Sequence, residues 1–352
     1  LLLSSCDTYT GSGAYAGATF GSILGADGFD CSLLSGTTVI NIDSEDEGVF
    51  LMGSAGGVRC DITIPMQWIS KSGDNVTIRV TGLTGGHSGD KIGTGRPSAN
   101  SLMGRVLNEI LQECTGSIVY IKGGSVDNAI ANECEAELIT DEYDKIAKLC
   151  NSVEKDLRQE YFGIDENISV FVGLNGKADK KVLDTDSQKR AITALCLAPQ
   201  GVIARSGDDK EMVNTSLNLG IVKLTDDLKM GYSVRSVYES AKNGLTEKLR
   251  LLALMLGGTA VCSGNYPAWQ YEPESRVREL AGNVYRKLTG KEPVFKTIHA
   301  GLECGLFYNR MNKPDIVSYG PDIYDIHTFE ERMDIASAKR VYELTVELLR
   351  NM

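Results

Sequence analysis

Histidine is scarce in this chain: 352 residues carry three, His87, His299 and His327. A histidine-built structural metal cluster is therefore excluded, and each imidazole stands out against the background. Clustered positive charge is also missing. Lys and Arg number 36 against 47 Asp and Glu, giving a formal net charge of -11. Phosphate binding needs basic runs, so nucleic acid is excluded as a partner; the acidic balance means solubility first. No apolar run reaches the roughly 20 residues that a membrane-spanning helix needs. No Cys-x-x-Cys pair occurs among the nine scattered cysteines, which lie at positions 6, 31, 60, 114, 134, 150, 196, 262 and 304. They are expected to be reduced, mostly buried thiols of a cytoplasmic protein, without a disulfide framework or a structural zinc site. Leu2-Leu3-Ser4-Ser5-Cys6 reads either as the tail of a lipoprotein signal or as a buried strand end. With no basic segment before it, the strand end is the expectation.

What is present is ordinary globular material, 42% hydrophobic and 24% charged, long enough for a sizeable core and two domains. Val39-Ile40-Asn41-Ile42-Asp43, followed by the acidic Ser44-Glu45-Asp46-Glu47-Gly48, suits a buried parallel strand that delivers a carboxylate at its C-terminal edge. Ligands gather at such edges. From Asp61 the style changes. Strands are expected over 61–65, 75–81, 117–121 and 168–172, with amphipathic helices from Ala99 and over 141–157. The order then recurs: a helix over 187–198, a hairpin across Asp226-Asp227, a helix over 239–256 and a strand at 259–262. Helices beside antiparallel strands, twice over, suggest an α+β insert of two similar halves. After Tyr266 the α/β style returns, with helices over 275–288 and 335–349 around a strand at 315–319. The expected organisation is α/β: a mixed-sheet catalytic domain from residues 1–58 and 265–352, interrupted by a lid over 59–264.

All three histidines sit in Gly-rich or acidic loops, where packing gives them little reason to be. Gly85-Gly86-His87-Ser88-Gly89-Asp90 offers a backbone that approaches a ligand closely while the imidazole donates to a developing oxyanion; alone, it reads equally well as a turn. His327, between a strand and a helix, suits a zinc-ligating imidazole with carboxylates nearby, and equally a surface histidine before a helix cap. Asp43 is its natural companion, and carboxylate plus imidazole suits Zn, Mn or Co.

Several ordered stretches together resemble the aminoacyl-histidine dipeptidases, within the wider clan of di-metal amino- and carboxypeptidases. They are Asn41–Gly48, Gly82–Asp90, Gly123-Gly124 with Asn128-Ala129-Ile130, Asn214–Leu219, Ser233–Ser236, His299–Leu306, and His327 with Asp334–Ser337. The resemblance covers residues 36–352 and implies a di-metal exopeptidase fold with an inserted lid, and dipeptide hydrolysis by metal-activated water. It implies Asp43 and His327 as zinc ligands brought together by folding, in a site of two metals. It implies His87 as the oxyanion-stabilising catalytic residue, and Asn128, Arg235 and the loop of Gly301 and Glu303 as substrate-binding groups, Arg235 through a two-pronged ion pair. His299 would support that loop. Small peptides are the implied partners, and the lid is a possible homodimer contact.

The chain departs from the family pattern at its start. The early His-x-Asp segment is absent, and where an adjacent Glu-Glu pair belongs the sequence reads Thr8-Tyr9. Asp27, in Gly25-Ala26-Asp27-Gly28, echoes the bridging-aspartate loop out of order and reads better as a turn. Beside a dipeptidase whose N-terminal part is missing from this chain stand two alternatives: a degenerate homologue that binds peptides without hydrolysing them, and a lid-mediated assembly protein.

Overall fold

The computed structural model describes residues 30–207, 210–326 and 330–352. Two compact units divide them, one formed by residues 30–57, 236–239 and 266–352, the other by Val58–Arg235 and Ser240–Asn265.

The first unit is built on a four-stranded mixed sheet in the order Thr38–Asn41, Asp315–Ser318, Val49–Ser54, Val294–Ile298. The two outer pairs run parallel and the central contact, Ser318 opposite Leu51, is antiparallel. Successive side chains of a strand point to opposite faces, and here both faces are apolar. Ile40, Phe50 and Val317 pack with the helices Arg276–Thr289 and Ile335–Arg350, while Val39, Leu51 and Ile316 pack with Trp269 and the helix Cys304–Arg310. Coverage on both faces is why the strand at 39–42 reads as a continuous apolar run. Phe50, fully buried, is the hub: its ring centroid lies 5.6 Å from Tyr285, edge-on, and 5.5 Å from Tyr319. The helix Arg276–Thr289 starts where Ser275 accepts from the Arg278 N–H, and stops at Gly290, whose φ of 69° is left-handed.

The second unit carries one nine-stranded sheet. Its order is Thr259–Tyr266, Gly56–Ile64, Leu228–Ser236, Val213–Leu224, Ser117–Gly123, Cys134–Thr140, Trp68–Thr81, Ser169–Leu183, with Gly201–Arg205 added beside Val213–Leu224. The two expected runs of strand and helix thus share a single sheet, in which Gly56–Ile64 of the first run lies between Thr259–Tyr266 and Leu228–Ser236 of the second. One core joins strand residues such as Val76, Ile78, Val80 and Leu138 to the inner faces of the helices Ala99–Glu113, Tyr143–Glu160, Thr185–Leu197 and Glu239–Met255. The alternate strand residues are polar and pair across strands: Arg79 and Tyr120 with Glu135, Lys180 with Glu137 at 3.1 Å.

Ser169–Leu183 runs well past the expected end at residue 172. It pairs antiparallel with Trp68–Thr81 from Trp68↔Leu183 to Thr81↔Ser169. Lys177, Lys180 and Lys181 carry no apolar alternation for a sequence reading to find, and lysines of this kind protect an edge strand from further pairing. Short elements were also missed, among them Val49–Ser54, Val294–Ile298 and Cys304–Arg310.

The cysteine expectation needs correction. Cys60 and Cys262 form a disulfide, with Cα atoms 4.1 Å apart. They are 202 residues apart in sequence, and only the neighbouring of Gly56–Ile64 and Thr259–Tyr266 in the sheet brings them together. Spacing along the chain carries no trace of it. The other described cysteines are free, all buried except Cys196, and burial pushes the Cys150 thiol up to about 12. No described helix is long and apolar enough to cross a membrane. Peptide mapping after alkylation of unfolded, unreduced protein should find Cys60 and Cys262 unlabelled, and labelled once a reductant is added. Labelling of both before reduction would refute the bond.

Candidate active site

In the second unit, the His87 arm is built from glycine geometry. Gly85 and Gly86 have φ of 62° and 119°, and a Cβ on Gly85 would meet the Ile130 carbonyl oxygen at 2.9 Å. No other residue fits there without strain. The preceding Thr84 donates its N–H and hydroxyl to the buried Asp165 carboxylate, and Arg96 Nη1 donates to the Gly85 carbonyl at 2.6 Å. His87 then pairs antiparallel with Ala129, and the Ser88 N–H donates to the Asn128 carbonyl at 2.8 Å. His87 is exposed and Asn128 half-buried. Two residues about forty positions apart are thereby held as neighbours.

The Asn128 segment is pinned from below. Asn218 Nδ2 donates to the carbonyls of Asp127 at 2.8 Å and Ala129 at 2.7 Å. Gly220 passes so close that a Cβ would lie 2.4 Å from the Val126 carbonyl oxygen. The Asp127 carboxylate forms an ion pair with Arg59, and both Arg59 and the buried Arg235 act on it electrostatically. Burial nonetheless holds the Asp127 carboxyl above its ordinary value, the two guanidiniums offsetting that only in part.

In the first unit, Asp43 is half-buried just beyond the strand Thr38–Asn41. Asn41 donates from Nδ2 to Ser318 Oγ at 3.2 Å, and its side chain also bonds the Cys304 thiol. That thiol is fully buried and pushed well up, by desolvation first and then by the charges of Glu303 and Asp43. Glu303 is buried at the head of the helix Cys304–Arg310, and Gly301 is buried just ahead of it. The charges of Asp43 and Glu303 thus act on one buried thiol. His299 lies at the start of the same loop, half-buried.

The short hairpin of Ile323–Tyr324 with Arg332–Met333 is tied to the segment after Asp43. Ile323 N–H donates to the Glu45 carbonyl at 2.9 Å, and Glu47 N–H donates to Asp322 Oδ1 at 2.7 Å. Gly320 packs against Ser44 with no room for a Cβ, which would lie 1.8 Å from the Ser44 carbonyl oxygen. Arg340 grips the Glu47 carboxylate with Nε at 2.7 Å and Nη2 at 2.5 Å. This two-pronged bond holds the Glu47 carboxyl below the usual carboxylate range.

His327, Thr8, Tyr9 and Asp27 lie outside the described residues. Among the described residues no group of three or more His, Cys, Asp or Glu side chains is placed to hold a metal ion. Stable zinc sites use three or four protein ligands, so the described donors do not by themselves complete a metal site. The sequence reading missed Asp127 and Arg59, and had Asp322 only as one of the carboxylates near His327. Asn218 sat in a recognised stretch without a role. Asp127 had a faint signal, an acidic residue inside the Gly-rich segment before Asn128; Arg59 had none.

A mixed-sheet α/β unit with an α+β insert agrees with the fold expected from the resemblance, and comparison with known proteins supports it. The peptidase dimerisation domain matches residues 78–164. The cytosol non-specific dipeptidase of Escherichia coli is 33% identical over 333 residues, which is 93% of this chain and 68% of that protein. The crystal structure of aminoacylhistidine dipeptidase from Vibrio alginolyticus superposes with a TM-score of 0.86 at 33% identity, covering 96% of this chain and 69% of that one. The chain belongs to this dipeptidase family.

Asn218→Ala should remove both carbonyl clasps at once and cost about 1–3 kcal/mol of stability, as for buried groups left without partners. Urea unfolding would measure it, and a loss well below 0.5 kcal/mol would show the clasp to be dispensable. The Glu47 grip should be acid-sensitive. A carboxyl lowered in the folded state stabilises above its unfolded value, near 4.5, and that contribution fades as pH falls through the lower folded value. Glu47→Gln should therefore flatten the decline in stability on acidification below about pH 4.5. Melting temperatures that fall in parallel for both proteins would refute this.

Proposed function

We propose that this protein is a metal-dependent dipeptidase that hydrolyses Xaa-His or similar dipeptides. The observation that carries the proposal is the joint holding of His87 and Asn128 on one two-stranded ladder, in a chain 33% identical to two dipeptidases. In this reading Arg235 receives the C-terminal carboxylate of the dipeptide through a two-pronged ion pair. Asn128 hydrogen-bonds the peptide backbone, and the loop of Gly301 and Glu303 shapes the other end of the substrate. The His87 imidazole donates to the scissile carbonyl oxygen as negative charge develops there, so its contribution is made in the transition state more than in the bound substrate. The glycines beside it let the backbone approach without a side chain intervening.

Asp43 and His327 are proposed as zinc ligands, and a metal held there would supply activated water for hydrolysis. The likeness of residues 78–164 to a dimerisation domain supports a second copy of this chain as a partner, and the cytosolic relative supports a cytoplasmic location.

The test is a hydrolysis assay of the purified protein with a glycyl-histidine substrate and added zinc, together with metal analysis. Turnover with bound zinc is the expected result, and His87→Ala should lower kcat about 10²- to 10³-fold with little change in KM, as for loss of an oxyanion donor. Binding of the dipeptide without turnover would replace hydrolysis by peptide binding as the function. An unchanged kcat in His87→Ala would remove that residue from the chemistry.

A further inference from the structure

The Asp127 carboxylate is an unusual guest in the lid. Its backbone is clasped by Asn218 on the strand Val213–Leu224, its side chain pairs with Arg59 on Gly56–Ile64, and it interacts with Arg235 on Leu228–Ser236. Those three strands are consecutive in the sheet, so a residue of a loop bridges all three. Its side chain keeps 10% of its accessible surface.

Burial displaces its ionisation upward, although Arg59, the backbone N–H groups of Asp127 and Asn128, and Arg235 all act the other way. A largely buried, ion-paired carboxylate next to residues assigned to the substrate is a candidate functional position. Its immediate neighbour Asn128 and the nearby Arg235 are the groups assigned above to the substrate's backbone and carboxylate.

We propose that Asp127 is a specificity-determining residue: its negative charge, held by Arg59 beside Arg235, opposes a second carboxylate in the ligand, so that dipeptides whose only negative charge is the C-terminal carboxylate are selected over those with an acidic C-terminal residue. The inference rests on the assignment of Arg235 to the substrate carboxylate. The physical basis is like-charge repulsion by a carboxylate that is itself largely buried, where screening is weak. Arg59 has a defined part in it. As the partner of Asp127, it moderates the repulsion and sets how strongly acidic ligands are rejected.

The experiment compares glycyl-glycine with glycyl-glutamate as substrates of the full-length protein and reads the ratio of kcat/KM for the acidic over the neutral dipeptide. Asp127→Asn keeps the size and removes the charge, and should raise that ratio about tenfold. Arg59→Gln removes the moderating charge and should lower it. Asp127→Glu should keep it within about threefold of the parent, as the charge is retained. A purely structural role predicts something else: both substrates suffer in proportion and the ratio stays put in every variant, which would overturn the proposal. So would Asp127→Asn and Arg59→Gln shifting the ratio in the same direction. If the parent turns over neither dipeptide, calorimetric dissociation constants for the same two compounds replace kcat/KM. Binding without turnover then defeats the dipeptidase reading alone, the Asp127 inference being decided by the ratio of dissociation constants. Absence of binding by either defeats both.

Discussion

One side-chain amide holds the loop that carries Asn128 in place. Asn218 Nδ2 reaches two carbonyls of the same loop, those of Asp127 and Ala129. Between them lies Asn128; paired with Ala129 is His87. Without that amide the loop would have to satisfy two carbonyls elsewhere, and the Ser88 N–H bond to Asn128 would join two poorly placed segments. The clasp works because Asn218 is itself almost fully buried on a central strand of a nine-stranded sheet, where backbone partners leave little freedom to drift. A planar amide with two donor hydrogens is the chemistry that two adjacent carbonyls require.

The first unit reaches a similar end by packing. Phe50 at the centre of the mixed sheet sits against Tyr285 and Tyr319, and the Tyr319 N–H donates to the Asn41 carbonyl. The aromatic cluster therefore sets the edge from which Asn41 and Asp43 emerge. Beyond that edge the backbone approaches itself closely, as between Gly320 and Ser44, and the acidic stretch is fastened by Asp322 and Arg340. Polar groups in both units follow one rule. Where a buried carboxylate or amide has a backbone N–H or carbonyl to serve, as Asp165 and Asn218 do, it orders a loop. Asp127 combines both kinds of partner, backbone N–H groups of its own loop and the guanidiniums of Arg59 and Arg235.

Much of this was legible in the sequence. The apolar run at 39–42 reads as a strand covered on both faces because period-two alternation disappears when both faces are buried. The helices Ala99–Glu113 and Ile335–Arg350 follow from apolar residues three and four apart. The glycines before His87 mark a backbone that other residues could not adopt. Against this, the long edge strand Ser169–Leu183 exists because Trp68–Thr81 offers a partner along its whole length, and an exposed edge needs no apolar pattern of its own. The short strands Gly86–His87 and Ala129–Ile130 are too brief to leave a periodic signal.

The sequence by itself determined the two styles of structure and the family, because those rest on residue type and local spacing. Tertiary structure alone decided which distant residues meet: Cys60 with Cys262, Arg59 with Asp127, Asn218 with the loop it clasps, Arg340 with Glu47. Such meetings depend on strand order and helix placement. These are set by burial of the whole apolar surface at once, and no window of neighbouring residues contains that information.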